Sequence, residues 1–287
     1  MRILVIGRSG QVATSLVERA VTASVEVIAV GRPEVDLTQK TSVEAALNAH
    51  QPDVVINAAA YTAVDAAETD EAAAFALNAE GPTVLSLLCR AKTLPLIHIS
   101  TDYVFDGTLD RPYREDDPTN PKSAYGRSKR AGEKGVIASG ANALIVRTAW
   151  VYSPFGKNFV KTMLRLGAER TELKVVADQV GNPTSALDIA DTLLALAPQH
   201  KSWPQTPTIA HMTAAGDTSW HGFAEAIFAN AGLSPVVHAI KTEEFPTPAE
   251  RPRNSRLDCA FLNTRFRLTL PHWRDSLTQC VARLTTP

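Results

Sequence analysis

Short runs of apolar, mostly β-branched residues alternate with longer Ala- and Leu-rich stretches through the first half of the chain. Ile3 to Ile6, Val25 to Val30, Val54 to Ile56, Leu96 to Ile99 and Leu144 to Val146 are near-continuous apolar runs that do not alternate in polarity. A strand solvated on one face would alternate, so these runs predict strands buried on both faces, as in a parallel sheet flanked by helices. The intervening stretches predict helices over Val12 to Val21, Ser42 to His50, Glu71 to Lys92 and Ala124 to Ser139. Strands alternating with helices in this way build βαβ units. Gly81-Pro82 interrupts the third helical stretch, and a proline, having no amide hydrogen, suits the first turn of a new helix. Beyond about residue 150 the rhythm loosens, and proline-rich segments appear at Trp203-Pro204-Gln205-Thr206-Pro207 and Phe245-Pro246-Thr247-Pro248. The pattern predicts an α/β chain with a doubly wound parallel sheet over residues 1–150. A smaller, irregular C-terminal lobe over 151–287 is expected to be partly interleaved with it.

Composition narrows the partners more than the fold. A chain of 287 residues exceeds the usual single-domain size, which agrees with an appended lobe. Its 29 basic and 30 acidic residues nearly cancel and are dispersed, which leaves no electrostatic footprint for nucleic acid or a membrane surface. A small molecule is the expected partner. Cys89, Cys259 and Cys280 are far apart and odd in number, which argues against both a disulfide framework and a metal site. They read as thiols of a reducing, cytoplasmic compartment. The seven histidines show no metal-binding spacing either. The first apolar run reaches Gly7 too soon for a signal peptide, and no later stretch reads as long and apolar enough to cross a bilayer.

Gly7-Arg8-Ser9-Gly10-Gln11-Val12-Ala13 follows the first predicted strand and opens the first predicted helix. Glycines there permit a tight turn and close approach of a backbone to a pyrophosphate, which the helix N-terminus then meets with free amides. An ordinary strand-to-helix turn is the plainer alternative, but the context suits a Rossmann-like nicotinamide dinucleotide site. The second strand ends at Val30-Gly31-Arg32, where an NAD-selective domain often carries an acid. A guanidinium suits a 2′-phosphate, so Arg32 favours NADPH, with NADH as the other candidate and a solvated loop arginine as the bland reading. Asp36 and Leu37 are placed to border the adenine. Ala58, Ala59 and Ala60, with Tyr61 and Thr62, close the third strand with small residues where a cofactor would run.

Ser100-Thr101-Asp102-Tyr103 lies at the carboxyl end of the fourth strand, on the side where open α/β sheets bind ligands. Downstream, Tyr125 and Lys129 are four residues apart in a predicted helix, which makes them neighbours on one face. Alone, that spacing is what any amphipathic helix produces by chance. With Thr101 and the glycine turn, it resembles the extended short-chain dehydrogenase/reductase family, whose working group is Ser/Thr, Tyr and Lys. Further blocks resemble the dTDP-4-dehydrorhamnose reductases within it, from Pro52-Asp53-Val54-Val55-Ile56-Asn57 through Arg147-Thr148-Ala149-Trp150 and Asp178-Gln179 to Arg251-Pro252 and Leu257-Asp258.

The resemblance implies reduction of the C4 ketone of a dTDP-linked 4-keto-6-deoxy sugar, dTDP-4-dehydro-L-rhamnose, by NADPH or NADH, for polysaccharide biosynthesis. Tyr125 would donate the proton, Lys129 would lower the tyrosine pKa and reach the nicotinamide ribose, and Thr101 would orient the reacting oxygen. It also implies that Asp102, Tyr103, Trp150, Asn158 and Arg253 meet the substrate, with Arg251 and Arg256 as further cations for its diphosphate. The chemistry needs no metal, so any divalent ion would be structural or at a subunit interface, for instance in a homodimer. Two other readings share these motifs: a reductase or epimerase of another nucleotide sugar, and a regulatory subunit that binds NADP without turnover.

Overall fold

The computed structural model describes residues 1–286. Its first half runs β1 (Arg2–Ile6), α1 (Gln11–Ala23), β2 (Glu26–Val30), α2 (Lys40–His50), β3 (Val54–Asn57), α3 (Glu71–Phe75), α4 (Gly81–Ala91), β4 (Leu96–Thr101), α5 (Ala124–Ser139) and β5 (Ala143–Thr148). There follow β6 (Val151–Tyr152), α6 (Phe159–Glu169), β7 (Glu172–Val176), β8 (Val180–Gly181), β9 (Thr184–Ser185), α7 (Ala186–Leu196) and β10 (Thr208–His211). The chain ends with β11 (Thr218–Ser219), α8 (Trp220–Ala231), β12 (Val236–Ile240), α9 (Ala260–Phe266) and α10 (Trp273–Thr285).

Six strands pair in the order β2-β1-β3-β4-β5-β10, and every pairing is parallel. The chain winds outward from β1 in both directions, so the strand order reverses between β1 and β3, where such sheets leave a crevice for a ligand. The unbroken apolar runs have a direct cause. Ile3 and Val5, with Val54 and Ile56, point to one face beneath Ala13 and Leu16 of α1 and Ile189 and Leu193 of α7. Leu4, Ile6 and Val55 point to the other, beneath Val43 of α2, Leu85 of α4 and Val136 of α5. Both faces are covered, so both sets must be apolar.

The predicted helix over 71–92 forms with a modification. Residues Ala76–Glu80 wind as one π-turn between α3 and α4, and Pro82 sits in the first turn of α4. The run Glu71–Ala91 is also a correction to the sequence reading. It is 21 residues long, and its most apolar 18-residue window has mean hydropathy 1.3, which is long and apolar enough to cross a membrane by length and composition. Half of its most apolar stretch is buried within the molecule.

After residue 150 the chain is more regular than its pattern suggests. α7 packs along α1, and β10 extends the main sheet beside β5. α6, α8 and α10 enclose a separate core of Val160, Met163, Phe223, Ile227, Trp273 and Leu277, beside the parallel pair β7 and β12.

Candidate active site

The nucleotide end is built by backbone. Gly7 has φ +123°, and a Cβ there would lie 3.0 Å from the Ala58 carbonyl carbon, so the turn and the end of β3 approach more closely than a side chain allows. Gly10 caps α1 with open space around it and without any side-chain hydrogen bond, so the first amides of a 13-residue helix stay available to an anion. This cradle fits a dinucleotide diphosphate. Gln11 begins α1, but its side chain is committed elsewhere, accepting from Ser153 Oγ at 2.7 Å and Asn158 Nδ2 at 2.9 Å. Val12 packs against the core, and Leu37 is buried against Gly81. Asp36 accepts from the Thr38 amide and hydroxyl, which hold its carboxyl below the usual range, while Arg32 is exposed nearby.

Ala58, Ala59 and Ala60 follow β3, half-buried, and lead to Tyr61 and the exposed Thr62. Asn78, in the π-turn, fixes this loop. It accepts from the Tyr61 amide at 2.8 Å and donates to the Tyr61 carbonyl and to Ser128 Oγ, both at 3.0 Å. A π-turn thereby joins the cofactor loop to α5.

The chemical end is set by two helix starts. Ser123 Oγ accepts from the Gly126 amide at 3.1 Å and caps α5, which puts Tyr125 in its first turn and Lys129 one turn on. A Cβ on Gly126 would lie 2.3 Å from the Tyr103 carbonyl oxygen, so only glycine lets α5 dock on the short 3-10 turn Asp102–Val104. That docking brings the Tyr125 ring edge-on to Tyr103, with centroids 5.5 Å apart. Thr101 caps the same turn by accepting from the Tyr103 amide at 3.2 Å, and donates to Asp102 Oδ1 at 3.0 Å.

Burial raises the Tyr125 phenol above its ordinary value, opposed by the nearby Thr101 hydroxyl, so it carries its proton at neutral pH. Lys129 is 2 % exposed, and burial lowers it to about 8, opposed by Glu133. Its ammonium donates to the Ile99 carbonyl at 2.7 Å. Lys129 is absent from the charges that act on Tyr125, because its head is drawn to the β4 backbone. Asp102 is buried and pushed up to about 6 by desolvation. Its Oδ2 has no partner, which leaves an acceptor for a hydroxyl.

Tyr103 opens onto a cleft of about 810 Å³ that runs to α6, β7, α8 and β12. Phe159 and Trp220 give it aromatic walls, while Asp65, Gln179, Arg170 and Arg251 give it polar ones. Arg251 donates to Asp65 Oδ2 at 2.7 Å and keeps Nη1 buried without a partner. Arg253 instead pairs with Glu243 at the surface, Arg256 holds Asn254 Oδ1, and Asn158 caps α6 while donating to Gln11. None of those three lines the cleft. Trp150 has φ +48° and stacks on Trp220 at 3.6 Å, held against Gly181. Of these cleft residues, Trp220 escapes the sequence reading, while Phe159 and Asp65 stand in segments that resemble the family but carry no role there. No group of three or more His, Cys, Asp or Glu that could hold a metal ion occurs among the described residues.

A doubly wound parallel sheet, a glycine turn at its switch point and a Thr-Tyr-Lys group beyond β4 define a nicotinamide-dependent oxidoreductase of the short-chain dehydrogenase/reductase class. The chain belongs, within it, to the RmlD substrate binding domain family, which matches residues 1–286. It is 46 % identical to the dTDP-4-dehydrorhamnose reductase of Burkholderia thailandensis, over 99 % of both chains. A solved dTDP-4-dehydrorhamnose reductase from Clostridium acetobutylicum superposes with TM-score 0.93 at 40 % identity, covering 100 % of both chains. A Bacillus anthracis dTDP-4-dehydrorhamnose reductase in complex with NADP gives TM-score 0.92 at 34 % identity, covering 98 % of this chain and 99 % of that one.

Proposed function

We propose that the chain reduces the C4 ketone of dTDP-4-dehydro-L-rhamnose to dTDP-L-rhamnose, with NADPH as the preferred reductant and Tyr125 as proton donor. The nicotinamide supplies the hydride when bound. The chain's own residues supply the rest. Negative charge develops on the ketone oxygen as it is reduced, so a donor already in place favours the transition state over the ground state. Tyr125 holds its proton at neutral pH and lies against Tyr103, which lines the cleft, and that suits it to the task. Thr101 orients the phenol, and the Lys129 ammonium, fixed by the Ile99 carbonyl, offers its remaining hydrogens to a ribose. The orphan Asp102 Oδ2 would accept from a sugar hydroxyl, and Arg251 Nη1 would donate to the diphosphate. Phe159 and Trp220 offer flat apolar faces to the thymine.

The observation that carries this reading is the meeting of Tyr125 with Tyr103 at the end of the large cleft, in a chain matched along its length by dTDP-4-dehydrorhamnose reductases. Replacing Tyr125 with Phe removes only the transferable proton and the hydroxyl. Turnover should fall about a hundred- to ten-thousand-fold, while NADP⁺ affinity, read by quenching of tryptophan fluorescence, stays close to that of the parent. Equal loss of binding and rate would make Tyr125 structural.

A further inference from the structure

The ribose end of the nucleotide cradle carries acids as well as arginines. Arg8, inside the glycine turn, leans over the end of β2, where a Cβ on Gly31 would lie 3.0 Å from Arg8 Cβ. Its Nη1 donates to both carboxylate oxygens of Glu34, at 2.9 and 2.8 Å. Arg32 is exposed and acts on Asp36 only as a nearby charge, since the Asp36 carboxylate is already engaged by Thr38. Two cations and two anions therefore stand together, and their formal charges cancel.

Only one of the two anions is free to respond. Asp36 is tied by two hydrogen bonds to Thr38, whereas the Glu34 carboxylate, held down by its own backbone amide and by Arg8, meets another side chain at Arg8. Both members of the Arg8–Glu34 pair are more than half exposed, at 57 and 61 %, so the pair is weak and exchanges partners readily. A 2′-phosphate brings a dianion with several acceptor oxygens and would take Arg8 from a carboxylate. The displaced Glu34 would then remain nearby as a like charge. An unphosphorylated ribose leaves the pair intact and offers its hydroxyl to the spare lone pairs of Glu34.

We propose that Glu34, through its competition for Arg8, is the residue that sets the balance between phosphorylated and unphosphorylated nicotinamide cofactors in this chain. The proposal rests on the dinucleotide reading of the glycine turn. Glu34 opposes the 2′-phosphate and supports the 2′-hydroxyl, while Arg8 joins Arg32 in receiving the phosphate. This local neutrality gives a chain that accepts both cofactors with a modest preference.

The test uses the whole ligand-free protein and two adenosine probes, 2′,5′-ADP and 5′-AMP, titrated by calorimetry. In Glu34→Gln the 2′,5′-ADP should bind roughly two- to fivefold tighter, the size expected for one exposed charge pair. Binding of 5′-AMP should not tighten, and the ratio of kcat/KM for NADPH over NADH should rise in step. Arg8→Ala should weaken 2′,5′-ADP by about the same factor and leave 5′-AMP unchanged. A parent protein that binds NADP⁺ and 2′,5′-ADP, with the ratio of the two probes unchanged in Glu34→Gln, overturns the proposal alone. A parent that binds neither NADP⁺ nor 2′,5′-ADP overturns the cofactor reading and the proposal with it.

Discussion

Lys129 is a cation held where charge is penalised, and that has a measurable consequence. Burial brings its ammonium down to about 8, so it is charged below that pH and neutral above it. In the proposed site, the contact of Lys129 with a ribose needs the charged form. The pH profile of kcat/KM, which reports the free enzyme, should therefore be level towards neutrality and fall above about pH 8. A profile level to pH 10 would show that the Lys129 charge is not required. Lys129→Met should lose both the alkaline limb and most of the rate. At this scale much of the site is legible in sequence, because Tyr125 and Lys129 are one helical turn apart and Thr101 ends a strand. The partner of Lys129 is not legible. The Ile99 carbonyl lies 30 residues away, and only the packing of α5 on β4 brings it to 2.7 Å.

α5 is placed by what it lacks. Gly126, Gly132 and Gly135 let it sit against the Asp102–Val104 turn, the π-turn and α4, where a Cβ would come within 2.3, 2.0 and 1.8 Å of Tyr103 O, Asn78 O and Thr83 Oγ1. Gly132→Ala puts a methyl group against the Asn78 backbone, which flexes little because its side chain already clamps Tyr61 and Ser128. Overpacking of that kind costs about 1–3 kcal/mol, more than the helix propensity of alanine returns. The urea midpoint should fall with an unchanged m-value; an unmoved midpoint would show that α5 can back away from the π-turn. The core elements of the sheet are legible because unbroken apolar runs are a local signal, and α5 forms over Ala124–Ser139 as its pattern predicts. The π-turn is not, since Gly81-Pro82 marks a helix start without revealing that the preceding turn is wide. The regular elements after residue 150 are obscured because their apolar residues serve two cores. α7 and β10 return to the sheet, while α6, α8 and α10 enclose their own interior.

The whole molecule joins these pieces through a few polar ties. Gln11 links the first turn of α1 to Ser153 and Asn158, so the diphosphate cradle and the entry to α6 move together. Asp65, eight residues past β3, holds Arg251 and accepts from the Ala249 amide, which fixes the far segment on the rim of the cleft. The glycine turn and the rim of the cleft are thus each tied to the second half of the chain by contacts between residues more than a hundred positions apart. That is why Phe159, Trp220 and Arg251 gather into one wall without any motif to announce it.

The arrangement makes sense for hydride transfer to a carbonyl, and intact Thr101, Tyr125 and Lys129 favour turnover over mere cofactor binding. The decisive measurement follows NADPH oxidation by the purified protein with dTDP-4-dehydro-L-rhamnose, beside a UDP-linked 4-keto sugar and beside NADH. Consumption of NADPH matched mole for mole by dTDP-L-rhamnose, faster than with the UDP sugar and slower when NADH replaces it, is the predicted result. NADPH binding with no consumption in the presence of the dTDP sugar would contradict it.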